Sequence, residues 1–467
     1  LSIINYSLSM ALALPQTYHF LPRFFRLSAA STLSNMMVPL AGLVDTAFLG
    51  HLTDIRHLAG VILASILFDY LYRVLKFLRS STNAMTAAAT GLGDQEGVLL
   101  VGLRSGLVAL AIALGILVLQ YPIQKFGFWL LTGDPGVEAS GVDYFYGRVW
   151  GAPAVLLNFV LMGWFLGREM NGLVLLISLV GNLANVYLDY VMIFQWGWAS
   201  YGAGLATALS QYLALILGLV GMIWTINWSV VPEALADLWD RAAFKETVVL
   251  KANILIRFIV LISTYAIFTN VSSSFGTLVL AQNGILLQIA LLSQFTINGV
   301  GLTTQTLTSN FSSKGHKNQL LPLLGVAIAT SLLIALGIAT ATLLFPTIVF
   351  GLLTNHQEVN GELTDYSVWL LPLLEMTAIA FMLEGYFTGL KAGETLRNAV
   401  LLAFGTGYLP LLGIAWYGQN NHLLWLSLVT YMTGLTIYLA LQVPKTLDPG
   451  VPPLAPLPAK PSESSTP

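Results

Sequence analysis

Apolar stretches of about 20 residues, broken by Gly, Pro or charge, recur along the chain, and each is long enough to cross a hydrocarbon layer of about 30 Å as a helix. They fall near 25–50, 56–90, 98–122, 138–167, 172–194, 201–225, 247–271, 276–312, 319–345, 362–390, 395–416 and 421–443, which predicts twelve transmembrane helices. The second and eighth are too long for one straight span, so tilt or projecting ends are expected. Residues 226–246, with VPEALADLWDRAAFKE, read as a short amphipathic linker, and 444–467, rich in Pro and Ser, as a disordered tail. The predicted organisation is a six-helix lobe over 1–225, the linker over 226–246, a second six-helix lobe over 247–443 and the tail over 444–467.

Composition turns this pattern into a class. Charged residues make up 9% of the chain and hydrophobic ones 56%, with a mean hydropathy of +0.77; soluble domains carry about 25% charge. The chain is an all-α polytopic membrane protein with the lipid bilayer as a partner. A net charge of −2 without a basic run gives no sign of a nucleic-acid partner, and zero cysteines exclude disulfides and thiolate chemistry. The six histidines fall in loops or near helix ends, and no HExxH, GxSxG or P-loop pattern occurs, so neither an enzyme nor direct ATP drive is expected. No organic cofactor or structural metal is called for.

Basic residues orient the chain. Loops on the side of both termini hold Arg23, Arg26, Arg168, Arg241, Lys245, Lys314, Lys317, Lys391, Arg397 and Lys445, against Arg56 and Lys125 opposite, so both termini are expected in the cytoplasm. The halves also repeat. Gly163, Gly167, Thr82, Thr86 and Gly93 recur 222 positions later as Gly385, Gly389, Thr304, Thr308 and Gly315. Because each half holds an even number of helices, the two bundles are expected to be parallel repeats about a pseudo-twofold axis along the membrane normal. Substrate between two such lobes is a transporter's architecture, and because one chain completes the pathway, a monomer is expected.

Acids inside such helices need a reason, since a carboxylate there costs roughly 2.5 to 3.5 kcal/mol or more. In PLAGLVDTAFLGHL, Asp45 shares a helix face with Val38, Ala41 and Gly42, whose small side chains admit a neighbouring helix. In the fifth helix, Ser178, Asn182, Asn185 and Asp189 form one polar stripe, answered in the sixth by Thr207, Ser210 and Gln211. A hairpin centred near Trp198 sets Asp189 and Thr207 at one depth. Two such carboxylates cannot both stay ionised in a low dielectric, so the cluster suits a shared proton or Na⁺; alternatively, the acids only tie helices together.

PLAGLVDTAFLGHL, FLRSSTNAMTAAATG at 77–91, NLANVYLD at 182–189, YGAGLATALSQY at 201–212 and EGYFTGLKAGETLRN at 384–398 resemble the signatures of the multidrug and toxic compound extrusion (MATE) family, DNA-damage-inducible F branch. The resemblance implies two six-helix bundles arranged as a V and efflux of organic, often cationic, small molecules in exchange for H⁺ or Na⁺. On this chain the family's coupling acids fall on Asp45 and Asp189, their companions on Asn185 and Thr207, and a further tyrosine on Tyr144. The eighth helix departs from the pattern: FTINGVGLTTQTLTSN carries Asn298 and Gln305 where many relatives carry acids, and an amide cannot titrate. Weight therefore shifts to the first lobe.

Other polar groups leave alternatives open. Asp69, Arg73, Lys76 and Arg79 fit an internal ion pair or a cavity lining. Arg104 and Arg257 have no partner legible in the sequence. Glu375 is a candidate cavity residue, and Glu384 is expected to pair with Lys391 or Arg397. A lipid-linked sugar flippase of the same architecture is the alternative function; it calls for several arginines in the central cavity, whereas those of this chain look scattered along it.

Overall fold

The computed structural model describes residues 16–50, 55–130, 134–351 and 365–447. Within them the chain forms α1 (Leu21–Gly50), α2 (Arg56–Leu92), α3 (Gln95–Val118), α4 (Pro135–Gly167), α5 (Asn171–Gln195), α6 (Ala199–Thr225), α7 (Arg241–Ser274), α8 (Thr277–Ser313), α9 (Lys317–Leu344), α10 (Asp365–Gly389), α11 (Gly393–Gly418) and α12 (Asn421–Gln442). Eleven of these helices, α2 to α12, are long and apolar enough to span a membrane among the described residues. Helix α1 has 30 residues, about 45 Å at 1.5 Å per residue.

The two over-long stretches resolve differently. Helix α2 breaks at Lys76, between Ile55–Leu75 and Phe77–Leu92, whereas α8 runs unbroken for 37 residues. Single π-helical turns interrupt α5 at Tyr190–Gln195 and α11 at Ala403–Tyr408, the same helix of each lobe.

The internal repeat reappears as backbone geometry and packing. Gly93 and Gly315 end α2 and α8 with φ of 72° and 74°, a left-handed conformation that glycine adopts without strain. Glu169 and Lys391, which follow α4 and α10 at the same offset, also take positive φ, 61° and 57°. A methyl built on Gly167 would lie 2.6 Å from Thr86 Cβ, and one on Gly389 would lie 2.8 Å from Thr308 Cβ. In each lobe the second and fourth helices thus meet backbone to backbone across a glycine, as small residues allow in a membrane.

The turns after α2, α4, α8 and α10 share one end of the bundle, where the basic residues concentrate. The linker docks at that end. Its helix Val231–Ala236 buries Ala234 against Leu99 and Leu100 of α3, and Arg104 donates to the carbonyls of Asp237 (2.6 Å) and Leu238 (3.2 Å). Arg104 therefore holds the end of the linker helix, where unpaired carbonyls favour a cation. The predicted tail lies outside the described residues from 448 onward.

Candidate functional site

The first lobe sets its polar groups at one height through three helix registers. Helices α1 and α5 run parallel: Ser34 and Ser178, 144 residues apart, share a hydrogen bond of 2.6 Å, and Phe48 meets Phe194 edge to face at 5.7 Å. The offset of 144 carries Asp45 to the level of Asp189. The side chain of Asp45 lies outside the described residues. Helices α5 and α6 run antiparallel, with Gly181 against Ala214 and Gly202 against Met192. That register sets Asp189 level with Ala206, beside Thr207.

Asp189 is fully buried, and Asn185, one turn back on α5, donates its Nδ2 to Asp189 Oδ2 at 2.8 Å. The π turn begins at the next residue, where the ladder shifts to Trp196 N–H donating to Val191 O; such single turns recur at functional sites. The neighbouring hydroxyls and Asn182 spend their hydrogens on their own helices. Thr207 donates to Ala203 O (2.9 Å), Ser210 to Thr207 O (2.8 Å) and Asn182 to Ser178 O (2.6 Å), leaving oxygen lone pairs on Thr207 and Ser210. Gln211 is a correction. It turns away to α4, accepting from Asn158 Nδ2 at its side-chain oxygen (3.2 Å) and its carbonyl (2.9 Å), because it sits about 100° around the helix from Ser210.

Tyr144 is buried on α4, and its hydroxyl accepts from Arg148 Nη1 at 2.7 Å. The Arg148 guanidinium lies 4.8 Å from the Phe68 ring centre and 5.5 Å from that of Tyr144. Gly204 of α6 packs on the Tyr144 carbonyl, so Tyr144 and Arg148 lie within about a turn of the Asp189 level. Sequence reasoning missed Arg148. The available signal was its spacing of four from Tyr144, which puts both on one helix face.

The candidates in α8 do something else: they seal the lobes together at the basic end. Gln305 accepts from Ser80 Oγ (2.9 Å) and donates to Ser80 O (2.6 Å), Thr306 donates to Asn83 (2.9 Å), and Ser309 donates to Ala84 O (2.7 Å). Asn35 of α1 donates to Asn298 at 3.4 Å, and Arg23 pairs with Glu169 while also donating to Asn310 at 3.2 Å. Asp69 and Arg73 of α2, 3.9 Å apart, are 58% and 36% exposed inside a membrane-spanning helix. Charges at that depth face water or protein in preference to lipid, so this face of α2 lines a cleft between the lobes.

In the second lobe, Glu384 is paired with Arg257 of α7, both buried, with Arg257 Nε donating at 2.5 Å. The pairing expected with Lys391 or Arg397 is corrected; Arg397 donates instead to Asn253 (3.1 Å). A resident guanidinium thus already neutralises the buried acid of this lobe. Glu375 is half-buried on α10.

Comparison with known proteins agrees with this architecture. The MatE family model matches residues 30–191 and 254–412, more than half of the chain and both lobes. The DNA damage-inducible protein F of Escherichia coli is 28% identical over 86% of this chain and 88% of its own length. A probable multidrug resistance protein NorM of Thermotoga maritima is 23% identical over 86% and 89%. Among solved structures, an outward-facing multidrug resistance MATE family transporter superposes with a TM-score of 0.82 at 18% identity, covering 91% of this chain and 96% of the other. A MOP superfamily transporter from Pyrococcus furiosus, described as having a binding pocket of reversed polarity, superposes with a TM-score of 0.81 at 18% identity over 90% and 95%. With a family match spanning both lobes of a helical membrane bundle, the chain belongs to the MatE family, the multidrug and toxic compound extrusion transporters.

Proposed function

We propose that the protein is a secondary antiporter of the plasma membrane that exports small organic compounds in exchange for H⁺ or Na⁺. Asp45 and Asp189 carry the ion, Asn185 orients Asp189, and Thr207 contributes an oxygen at the same level. The observation that carries this reading is the fully buried Asp189 held by Asn185 at 2.8 Å, one turn from a shift in the helix ladder. Carboxylate, amide and hydroxyl oxygens are the donors that a proton or a hard monovalent cation takes, which fits either ion.

With the basic end in the cytoplasm, both termini lie inside and the seal through Ser80, Asn83, Gln305 and Ser309 closes the inner side. The cleft then opens outward. Ion binding in the first lobe biases how that lobe packs on α8, and this couples ion entry to cargo exit. One chain completes the pathway, so the monomer is the working unit.

The organic cations suggested by the family resemblance fit poorly with Arg73, Lys76 and Arg79, which stand together on α2 where it faces the other lobe. Reconstituted into proteoliposomes, the protein is expected to move organic dyes when a pH or a Na⁺ gradient is imposed and to stop when that gradient is collapsed. Transport that ignores both gradients would remove the antiport reading.

A further inference from the structure

We propose that the inner end of the interlobe cleft is an anion site, so that the exported compound carries an acidic group on a flat, apolar body. This deepens the transport reading and rests on it for the identity of the bound molecule as cargo.

Arg73, Lys76 and Arg79 follow one another at three-residue spacing on α2, where the helix breaks at Lys76. Arg73 and Lys76 stand over Phe295 of the opposite lobe, 6.0 and 5.0 Å from its ring centre. Arg79 lies deeper. Its Nη1 donates to Asn35 at 2.9 Å, while its Nε and Nη2 are buried without a hydrogen-bond partner among the described residues. Asn35 in turn reaches Asn298 across the interface at 3.4 Å.

The charge is unbalanced. Asp69 is the carboxylate beside the cluster; it sits on the wide side of the cleft, 3.9 Å from Arg73. Among the described residues no acid pairs with Lys76 or Arg79. Three cations against one exposed acid repel one another where the dielectric is low, and an unpaired guanidinium edge there is costly. A bound carboxylate or phosphate relieves both. The free Nε and Nη2 of Arg79 form the edge that grips such a group in two-point fashion, Lys76 adds a point charge, and Phe295 offers a face for a flat ring. A cationic cargo would meet like charge at Arg73, Lys76 and Arg79.

The test is direct binding to the purified full-length protein in detergent, using 2-naphthoate, its uncharged isostere 2-naphthamide and the cation N-methylquinolinium. Naphthoate is expected to bind about tenfold or more tightly than either of the others, with an affinity that falls as salt rises. Lys76→Gln and Arg79→Gln are each expected to weaken naphthoate about tenfold, Arg79→Lys less. The Lys76 side chain makes no hydrogen bond among the described residues, so Lys76→Gln keeps the test decisive if Arg79→Gln fails to fold. Farnesyl pyrophosphate, added as a competitor, separates sources: tighter binding than naphthoate assigns the acidic group to a lipid, weaker binding to a soluble acid, and both support an anion site. Quinolinium binding more tightly than naphthoate, or naphthoate binding unmoved in the folded variants, would overturn the proposal. Binding needs no gradient, so a protein that prefers naphthoate but fails the gradient experiment loses only the antiport reading. One that passes it without preferring naphthoate loses only this inference.

Discussion

Asp189→Asn is expected to abolish ion-driven transport in a protein that still folds and inserts. Asn is isosteric, and its side-chain oxygen still accepts the hydrogen bond that Asn185 donates at 2.8 Å. The variant also removes a fully buried carboxylate, which no longer has to be kept neutral or paired. Melting temperature should therefore hold or rise. What disappears is one of the two groups that together alternate between holding a proton, or Na⁺, and releasing it. Coupling of the usual 1 to 3 kcal/mol is worth about 5- to 150-fold, so gradient-driven dye movement should fall toward the rate of empty vesicles. Asp45→Asn is expected to do the same, and the double variant to be no worse than either, because both acids serve one binding event. Wild-type rates in a folded Asp189→Asn protein would mean that Asp189 only ties helices together.

The second large effect is on stability. Arg257 and Glu384 form an ion pair between α7 and α10 with both side chains buried, and Arg257 also lies 5.0 Å from the ring centre of Phe258. Removing one partner strands the other charge, so Arg257→Met is expected to destabilise the protein by about 3 to 5 kcal/mol. Arg257→Met with Glu384→Met removes both charges together and is expected to recover most or all of that loss, since apolar replacements of buried pairs are often neutral. Denaturation of the purified variants in one detergent measures the difference. A double variant as unstable as the single would show that the pair contributes packing, with its charges immaterial.

Residue spacing showed some of this and hid the rest, for physical reasons. The spans and the repeat were legible because membrane helices need long apolar runs and duplicated lobes repeat their close contacts; Gly93 and Gly315 even share their φ. The common depth of Asp189 and Thr207 followed from hairpin symmetry about Trp198, and the described register agrees. Faces around a helix were harder. Gln211 lies one residue from Ser210 yet points to another helix, and the partner of Glu384 is 127 residues away in sequence. Helical periodicity says which residues share a face and nothing about which helix that face meets. Arg73, Lys76 and Arg79 fitted an ion pair or a cavity lining equally well for the same reason; the fold adds Phe295 of α8 against Arg73 and Lys76. The π turn after Asp189 has neither Pro nor Gly to announce it.

The central claim is that the acids of the first lobe, Asp45 and Asp189, exchange a small cation against cargo. It is tested most directly by measuring cargo affinity in the purified protein while H⁺ and Na⁺ concentrations are varied separately. Wild type is predicted to lose affinity as one of the two ions rises, with a log–log slope of about one, and Asp189→Asn to show no slope. The same slope in both proteins would contradict the account.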